Sequence, residues 1–245
     1  MSAAVDLKLL RASLEQRFGE AIVPVPGQAP SRERPGFCTG IAALDALAPA
    51  GVPRRALTLW AGEATSGRTA ALRVLVDAAC RETLVAVVDA TRTLDPAAWC
   101  EADGHSAPGL WIARPPADGH ADEGAWVAET LLRTGAFGLV VLDGPVPAAV
   151  EAHRLRAIAR ETDAAVLVST DGAGAQWRAD VKLEFKRTGV APGLRAGGRF
   201  RRASGVQAAK GWGSRTGERT VELVHEPTHR LHPDTGADRR APARR

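Results

Sequence analysis

The chain has 245 residues, of which 45% are hydrophobic and 24% are charged, and its formal net charge is +4. A chain of this size buries a core as one domain with appendages or as two small domains, and no stretch approaches the roughly 18 uncharged apolar residues of a membrane span. Its three cysteines, odd in number and widely spaced (Cys38, Cys80 and Cys100), favour a soluble protein of the reducing cytoplasm over a secreted disulfide framework.

The charge is unevenly distributed along the chain. Residues 178–245 hold 16 Lys and Arg against 7 Asp and Glu, whereas residues 1–177 hold 16 against 21. A basic C-terminal part indicates an anionic partner. The alternative is a solvated basic tail.

The first predicted element is an amphipathic helix within residues 1–23. Its apolar residues recur at helical spacing, and Gly19 is a plausible stop; they are Leu7, Leu10, Leu14 and Phe18. A linker rich in proline and glycine follows over 24–36. The apolar stripe therefore packs either on its own domain or on another subunit.

Residues 37–226 alternate short β-rich runs with helical segments, which predicts an α/β fold with a mostly parallel twisted sheet. The later strands lack intervening helices and should form an antiparallel extension. The polar, basic tail 227–245 is predicted to be disordered. Strands are predicted over 56–61, 84–89, 110–113, 138–143, 164–169, 181–185, 205–210 and 220–224, and helices over 70–80, 96–103, 123–134 and 147–162.

The segment 62–69, GEATSGRT, lies between a predicted strand and a predicted helix and has the spacing of a phosphate-binding loop. In such loops backbone N–H groups and the helix N-terminus attract phosphate, a lysine reaches the β- and γ-phosphates, and the next hydroxyl holds the metal. Here Arg68 replaces the lysine, and its planar fork is bulkier than an ammonium group. The sequence predicts a degenerate nucleotide site made by Gly62, Ser66, Gly67, Arg68, Thr69 and Asp143.

Asp143 joins this set because it ends the apolar run Leu139-Val140-Val141-Leu142. A carboxylate at the carboxyl end of a buried parallel strand is placed for Mg²⁺ coordination. Asp89 ends another such strand, either as a supporting partner or merely as a strand end.

Several segments in this order resemble the core of the RecA recombinase family: residues 37–45, 51–54, 66–69, 88–96 and 138–144. The resemblance spans residues 7–225. It implies a RecA-type ATP pocket, and it implies that the N-terminal helix docks on a neighbouring subunit.

The departures from the family pattern concern hydrolysis. The resemblance places a water-activating glutamate two residues beyond Asp89, where this chain has Thr91, and a hydroxyl does not accept a proton as a carboxylate does. Glu63 and Glu101 are lesser candidates for that base. We therefore expect neither enzymatic activity nor a firmly held cofactor, with binding of ATP and Mg²⁺ left open.

The two DNA-binding loops implied by the resemblance are also short. Only residues 144–147 follow Asp143, and the second loop is reduced to 170–175. Neither Thr170 nor Asp171 matches the residue that senses the γ-phosphate. Of two lysines that the family extends to a neighbouring nucleotide, Lys210 matches one, and Trp212 stands at the other position.

Shortened RecA relatives of this kind include the ImuA proteins, which the chain resembles most. This resemblance implies an accessory role in damage-induced translesion synthesis, with RecA, an inactive Y-family polymerase homologue and a DnaE-type polymerase as partners. Two alternatives stay open: a weak DNA-stimulated ATPase, and a nucleotide sensor that binds ATP without cleaving it.

The segment 186–217 carries eight basic residues and no acidic one. Arginines beside an aromatic ring suit phosphate contacts and base stacking, and the alternative is a solvated hairpin. The DNA-binding candidates are Lys186, Arg187, Arg195, Arg199, Arg201 and Arg202. No metal site is expected, because His225, His229 and His232 lie beside the tail without cysteines.

Overall fold

The computed structural model describes residues 36–47, 51–63, 66–96, 99, 109–116, 123–171, 177–196, 199–208 and 219–225, with the backbone alone given beyond residue 186. Several predictions lie outside these ranges. They are the helix within 1–23 with Leu7, Leu10, Leu14 and Phe18, residues 24–35 of the linker, most of the helix at 96–103 with Glu101, Lys210, Trp212, His229, His232 and the tail 227–245.

The described chain forms two sheets. The strands are β1 Gly36–Phe37, β2 Val52–Pro53, β3 Leu57–Gly62, β4 Leu84–Asp89, β5 Leu110–Ala113, β6 Phe137–Asp143, β7 Ala165–Thr170, β8 Val181–Ala196, β9 Arg199–Ala208 and β10 Arg219–His225. The main sheet has the order β10-β9-β8-β3-β7-β6-β4-β5. From β8 to β5 every neighbouring pair is parallel, and β9 and β10 extend one edge with antiparallel pairing. The predicted α/β class with an antiparallel extension is confirmed.

Helices cover both faces of the parallel part: α1 Ala42–Leu47, α2 Arg68–Ala79, α3 Glu123–Arg133 and α4 Ala149–Thr162. One apolar cluster joins α3 and α4 to one face, and a second joins α1 and α2 to the other. On α2, the buried residues Leu72, Leu75 and Val76 recur at the spacing of one helix face. Since both faces are covered, the strands consist of nearly continuous apolar runs, and every residue of β4 and of β6 is buried.

The sequence did not predict the short elements before the phosphate loop. β1 pairs with β2 in a small antiparallel sheet. The turn into α1 is held by Thr39, whose backbone N and Oγ1 donate to Asp45 Oδ1 at 2.7 and 2.8 Å. These polar contacts hold the turn before α1. Such an element has no long run of regularly spaced apolar residues, so the sequence pattern does not reveal it.

The strands β8 and β9 are longer than predicted. β8 pairs with β3 only from Val181 to Phe185, but its pairing with β9 runs from Leu183 opposite Ala208 to Ala196 opposite Arg199. β10 accompanies β9 only as far as Arg202, opposite His225. The predicted strands 181–185 and 205–210 therefore end too early and begin too late. The segments of β8 and β9 between these bounds form a two-stranded ribbon that extends beyond the core sheet.

Among the described helices, none is both long and apolar enough to cross a membrane. Cys80, predicted as the last residue of a helix, follows the last residue of α2. Burial, with the Asp77 carboxylate nearby, raises the pKa of Cys80 to about 12. Its thiolate is negligible at neutral pH, which supports a packing role over a reactive one.

Candidate functional site

The phosphate loop joins the end of β3 to the start of α2, as the sequence predicts. Gly67 has φ of 85°, a left-handed conformation that favours glycine, and Ala71 N donates to its carbonyl at 2.9 Å. Gly62 lies against β8, so that a Cβ added there would come within 2.6 Å of the Phe185 carbonyl oxygen. Both glycines are thus required by backbone geometry, one by its φ and the other by close approach.

Arg68 is the first residue of α2, and only 7% of it is exposed. Its guanidinium turns back over the loop. Nη1 lies 3.4 Å from the Gly62 carbonyl oxygen, and Nη2 forms an ion pair with Asp171 Oδ1. The residue at the lysine position therefore connects the first glycine of the loop to the residue that follows β7.

Two polar atoms of the loop lack partners among the described residues. Ser66 Oγ and Arg68 Nε are both buried, and neither makes a hydrogen bond there. Thr69, whose hydroxyl the sequence predicts as a metal ligand, is exposed on the first turn of α2. The loop thus keeps unused hydrogen-bonding capacity, in addition to the ion pair.

Asp143 ends β6, where the sequence predicts it, and only 6% of it is exposed. Ser169 Oγ donates to its Oδ1 at 2.7 Å. Burial raises the pKa of Asp143; the Ser169 hydrogen bond and Arg68 oppose that rise, whereas Asp89 and Asp171 add to it. Asp143 and Arg68 therefore lie at the same edge of the sheet and interact electrostatically.

Asp89 has no exposed surface and holds the loop that follows β4. Its Oδ1 accepts from Thr93 N at 3.0 Å, and its Oδ2 accepts from Leu94 N at 3.3 Å and from Arg114 Nε at 2.9 Å. Arg114 Nη2 also donates to the Leu94 carbonyl. Asp89 is consequently an organiser of this loop rather than a mere strand end.

Thr91 lies in that loop and is exposed. Its Oγ1 is 2.8 Å from Thr93 Oγ1 and 3.4 Å from Asp89 Oδ1. Glu63, the lesser candidate for a base, is exposed on the phosphate loop. The position that the family pattern assigns to a water-activating carboxylate thus presents a hydroxyl engaged with its neighbours.

The connection after β6 is short and anchored. Gly144 N donates to the Ser169 carbonyl at 2.9 Å, and Trp177 Nε1 donates to the Pro147 carbonyl at 2.9 Å. Trp177 is half-buried and packs against the core. Trp60 is fully buried, and Trp111 is partly buried beside Phe137.

In the strand register the first of the predicted DNA-binding residues, Lys186, follows Phe185, which pairs with Gly62 of the phosphate loop. Lys186 is exposed just beyond the last residue of β8 that pairs with β3, and its Nζ is 3.5 Å from Glu184 Oε2. In the ribbon register Arg195 stands opposite Phe200, and Arg199 opposite Ala196. The candidates Arg187, Arg195, Arg199, Arg201 and Arg202 all lie on β8 or β9.

The sequence analysis missed three partners: Asp171 for Arg68, Ser169 for Asp143 and Arg114 for Asp89. Asp171 and Arg114 follow a strand and Ser169 is the last but one residue of β7, so all three lie at the carboxyl edge of the sheet, where side chains from neighbouring parallel strands meet. That position was a usable signal for Ser169 and Asp171. The pairings themselves depend on the strand order, which places β7 beside both β3 and β6, and β5 beside β4.

As arranged, these residues do not fit the triphosphate and magnesium that the family resemblance implies. The guanidinium that should meet phosphate is already paired with Asp171. Among the described residues, no three His, Cys, Asp or Glu side chains form a group suited to a metal ion.

Comparison with known proteins finds similarity to RecA. A family model described as the RecA N-terminal domain matches residues 5–161. RecA of Rubrobacter xylanophilus is 34% identical over 144 residues, which is 58% of this chain and 40% of that protein. RecA of Symbiobacterium thermophilum is 36% identical over 143 residues, covering 57% and 39%, and RecA of Gluconobacter oxydans is 34% identical over 134, covering 54% and 38%. The matches thus span about two fifths of the length of these relatives.

Proposed function

Since this chain belongs to the family of the RecA N-terminal domain, we propose that it is a non-hydrolysing RecA-type accessory protein of DNA damage tolerance, similar to the ImuA proteins. It works in the cytoplasm and contributes to translesion synthesis in the SOS response through contacts with RecA and polymerases. It also modulates recombination by RecA and contacts DNA through its ribbon.

The main support for the proposed absence of hydrolysis is the loop after β4. Thr91 stands where a base is needed, and its hydroxyl contacts Thr93 and Asp89. General-base catalysis contributes about 10²–10⁴-fold to rate and needs a group that accepts a proton near neutral pH. The pairing of Arg68 with Asp171 supports the same conclusion, because phosphate loses its cationic partner.

Steady-state ATP turnover, measured with and without single-stranded DNA, tests this proposal. We expect no turnover above background in the wild type, and the same in Asp143→Ala. The rival, a slow DNA-stimulated ATPase, requires turnover in the wild type that Asp143→Ala abolishes. That pattern would reject the non-hydrolysing function.

The contact with RecA is proposed for the predicted helix within 1–23, whose apolar stripe needs a partner. Deleting residues 1–20 should abolish capture of RecA in a pull-down and relieve any inhibition of strand exchange. Leu10→Asp/Leu14→Asp should do the same. Lys8→Ala/Glu15→Ala, on the polar positions of that helix, is the matched control and should bind normally. RecA capture that survives the deletion would contradict this interface.

The polymerase partners are a Y-family homologue and a DnaE-type polymerase. Support comes from the resemblance alone, so the direct test is co-purification of the three tagged chains from cells exposed to a DNA-damaging agent. We expect one complex. Separate elution of this chain from both polymerases at physiological salt would remove them from the proposal.

We propose that DNA contacts the ribbon, the part of β8 and β9 that extends beyond the core sheet. This part contains Arg195, Arg199, Arg201 and Arg202. Each phosphate contact on a single strand contributes about 0.7 to the slope of log K against log salt. Replacing Arg199, Arg201 and Arg202 with alanine should therefore lower the slope by about 2 and weaken binding by at least about tenfold at low salt.

The control for that experiment removes the same charge elsewhere. Arg81, Arg160 and Arg178 are exposed and lie outside the ribbon. Their triple alanine variant should retain most of the affinity and of the salt slope. Equal losses in both variants would indicate a general effect of net charge, and the ribbon would not be the DNA site.

A further inference from the structure

The ion pair between Arg68 and Asp171 follows from the strand order. β3 and β7 are hydrogen-bonded neighbours, with Ala61 opposite Thr170. Gly62 and Asp171 each follow these residues and therefore stand side by side at the carboxyl edge of the sheet. The guanidinium of Arg68 reaches back from the start of α2 and contacts both residues.

The two members of the pair are in different surroundings. The side chain of Arg68 is 8% exposed, whereas that of Asp171 is 67% exposed. A buried cation requires an anion, because an unpaired charge away from water is costly. The N-terminus of α2 adds partial positive charge to the same place. An anion beside Arg68 therefore stabilises the loop, and the exposed carboxylate of Asp171 is that anion.

An external phosphate competes poorly with this arrangement. Asp171 is tethered to β7, so that its carboxylate is present beside the guanidinium at a high effective concentration. An incoming triphosphate must displace that carboxylate before it can pair with the guanidinium of Arg68. The arginine fork also fills more of the loop than an ammonium group would.

The loop nevertheless keeps donors that an anion could use. Ser66 Oγ and Arg68 Nε are buried, and within the described ranges they make no hydrogen bond. These unused groups distinguish a closed phosphate site from a destroyed one.

We propose that the phosphate loop of this chain is closed by an internal ligand, the carboxylate of Asp171, which takes the place of a nucleotide phosphate beside Arg68. The loop and the start of α2 thereby hold one arrangement whether or not nucleotide is present. This inference deepens the proposed non-hydrolysing function, on which it rests, by naming what occupies the site.

Isothermal titration calorimetry with Mg·ATP, and separately with inorganic pyrophosphate, tests the closure. We expect no binding to the wild type at about 1 mM of either probe. Asp171→Asn, which keeps the shape and removes the charge, should gain at least about tenfold in affinity. Arg68→Lys/Asp171→Asn should bind at least as tightly, because the ammonium group leaves more space. Asp171→Ala is a second opening variant that keeps no hydrogen-bonding side chain.

The matched control is Glu161→Gln, which removes one exposed negative charge at the end of α4, away from the loop. It should bind no better than the wild type. Tight binding of Mg·ATP to the wild type, or Asp171 variants that fold and bind no better than it, would overturn the closure. Binding without turnover would overturn only the closure, whereas turnover in the wild type would overturn the non-hydrolysing function itself.

Discussion

Asp89 and Asp143 end neighbouring strands and stand opposite each other in the register of β4 and β6. Asp89 is fully buried and accepts hydrogen bonds from two backbone N–H groups and from Arg114. Asp143 accepts one from Ser169, and burial raises its pKa. The carboxylate of Asp89 therefore stabilises the loop after β4, whereas ionisation of Asp143 at the end of β6 is opposed by burial.

Removing the carboxylate of Asp89 should give the largest change in the free energy of unfolding. Asp89→Ala leaves the N–H groups of Thr93 and Leu94 without their acceptor and deprives Arg114 of its ionic partner. Loss of one member of a buried pair costs about 3–5 kcal/mol, and we expect about 3 kcal/mol because Arg114 is partly exposed. Urea unfolding at pH 7 measures the change in the free energy of unfolding.

The control for Asp89 is Arg114→Ala, which leaves both backbone donors in place. It should cost less than Asp89→Ala, about 2 kcal/mol, which is within the range expected for a hydrogen bond to a charged group. If Asp89→Ala cost less than about 1 kcal/mol, the loop would be held by something other than this carboxylate.

The second prediction concerns Asp143 and has the opposite sign. A pKa raised in the folded state means that the folded protein binds the proton more tightly than the unfolded chain. Stability contributed by this group is then present at low pH and is lost as the pH rises through the folded pKa. Asp143→Asn should therefore stabilise the protein at pH 7 by about 1 kcal/mol, and the gain should shrink as the pH falls towards the ordinary carboxyl range.

Thermal or urea unfolding of the two proteins across that pH range gives the comparison. Ser169→Ala is the companion variant. It removes the hydrogen bond that favours the carboxylate, so it should raise the pKa of Asp143 further and lower stability at pH 7. A stability difference between Asp143→Asn and the wild type that is independent of pH would show that titration of Asp143 does not contribute.

The sequence patterns located the bounds of β3 to β7 within one residue, because strands buried on both faces are continuous apolar runs. They failed on the ribbon, where Gly189, Gly193 and Pro192 indicate a loop and the strand state comes from pairing between β8 and β9. That pairing is a tertiary interaction, which local propensity does not encode.

The candidate site divides in the same way. The phosphate loop and Asp143 were predicted because each carries its own signal, a spaced set of glycines or an apolar run ending in Asp. The pairing of Arg68 with Asp171 was not predicted, because it depends on β3 and β7 being neighbours although about 100 residues separate the partners in sequence. Local patterns thus identify the parts of a site, and the strand order decides which parts meet.

The smallest expected change in the free energy of unfolding is at Thr91. A substitution there tests whether the loop after β4 depends on this residue. Thr91 is exposed, and its closest polar contact is the exposed hydroxyl of Thr93. Surface substitutions of this kind change the free energy of unfolding by less than about 0.5 kcal/mol, and we expect Thr91→Ala to stay within that limit in urea unfolding. A loss of stability as large as that of Asp89→Ala would show that Thr91 helps Asp89 to hold the loop after β4. A small loss means that the hydroxyl there is not required by the fold.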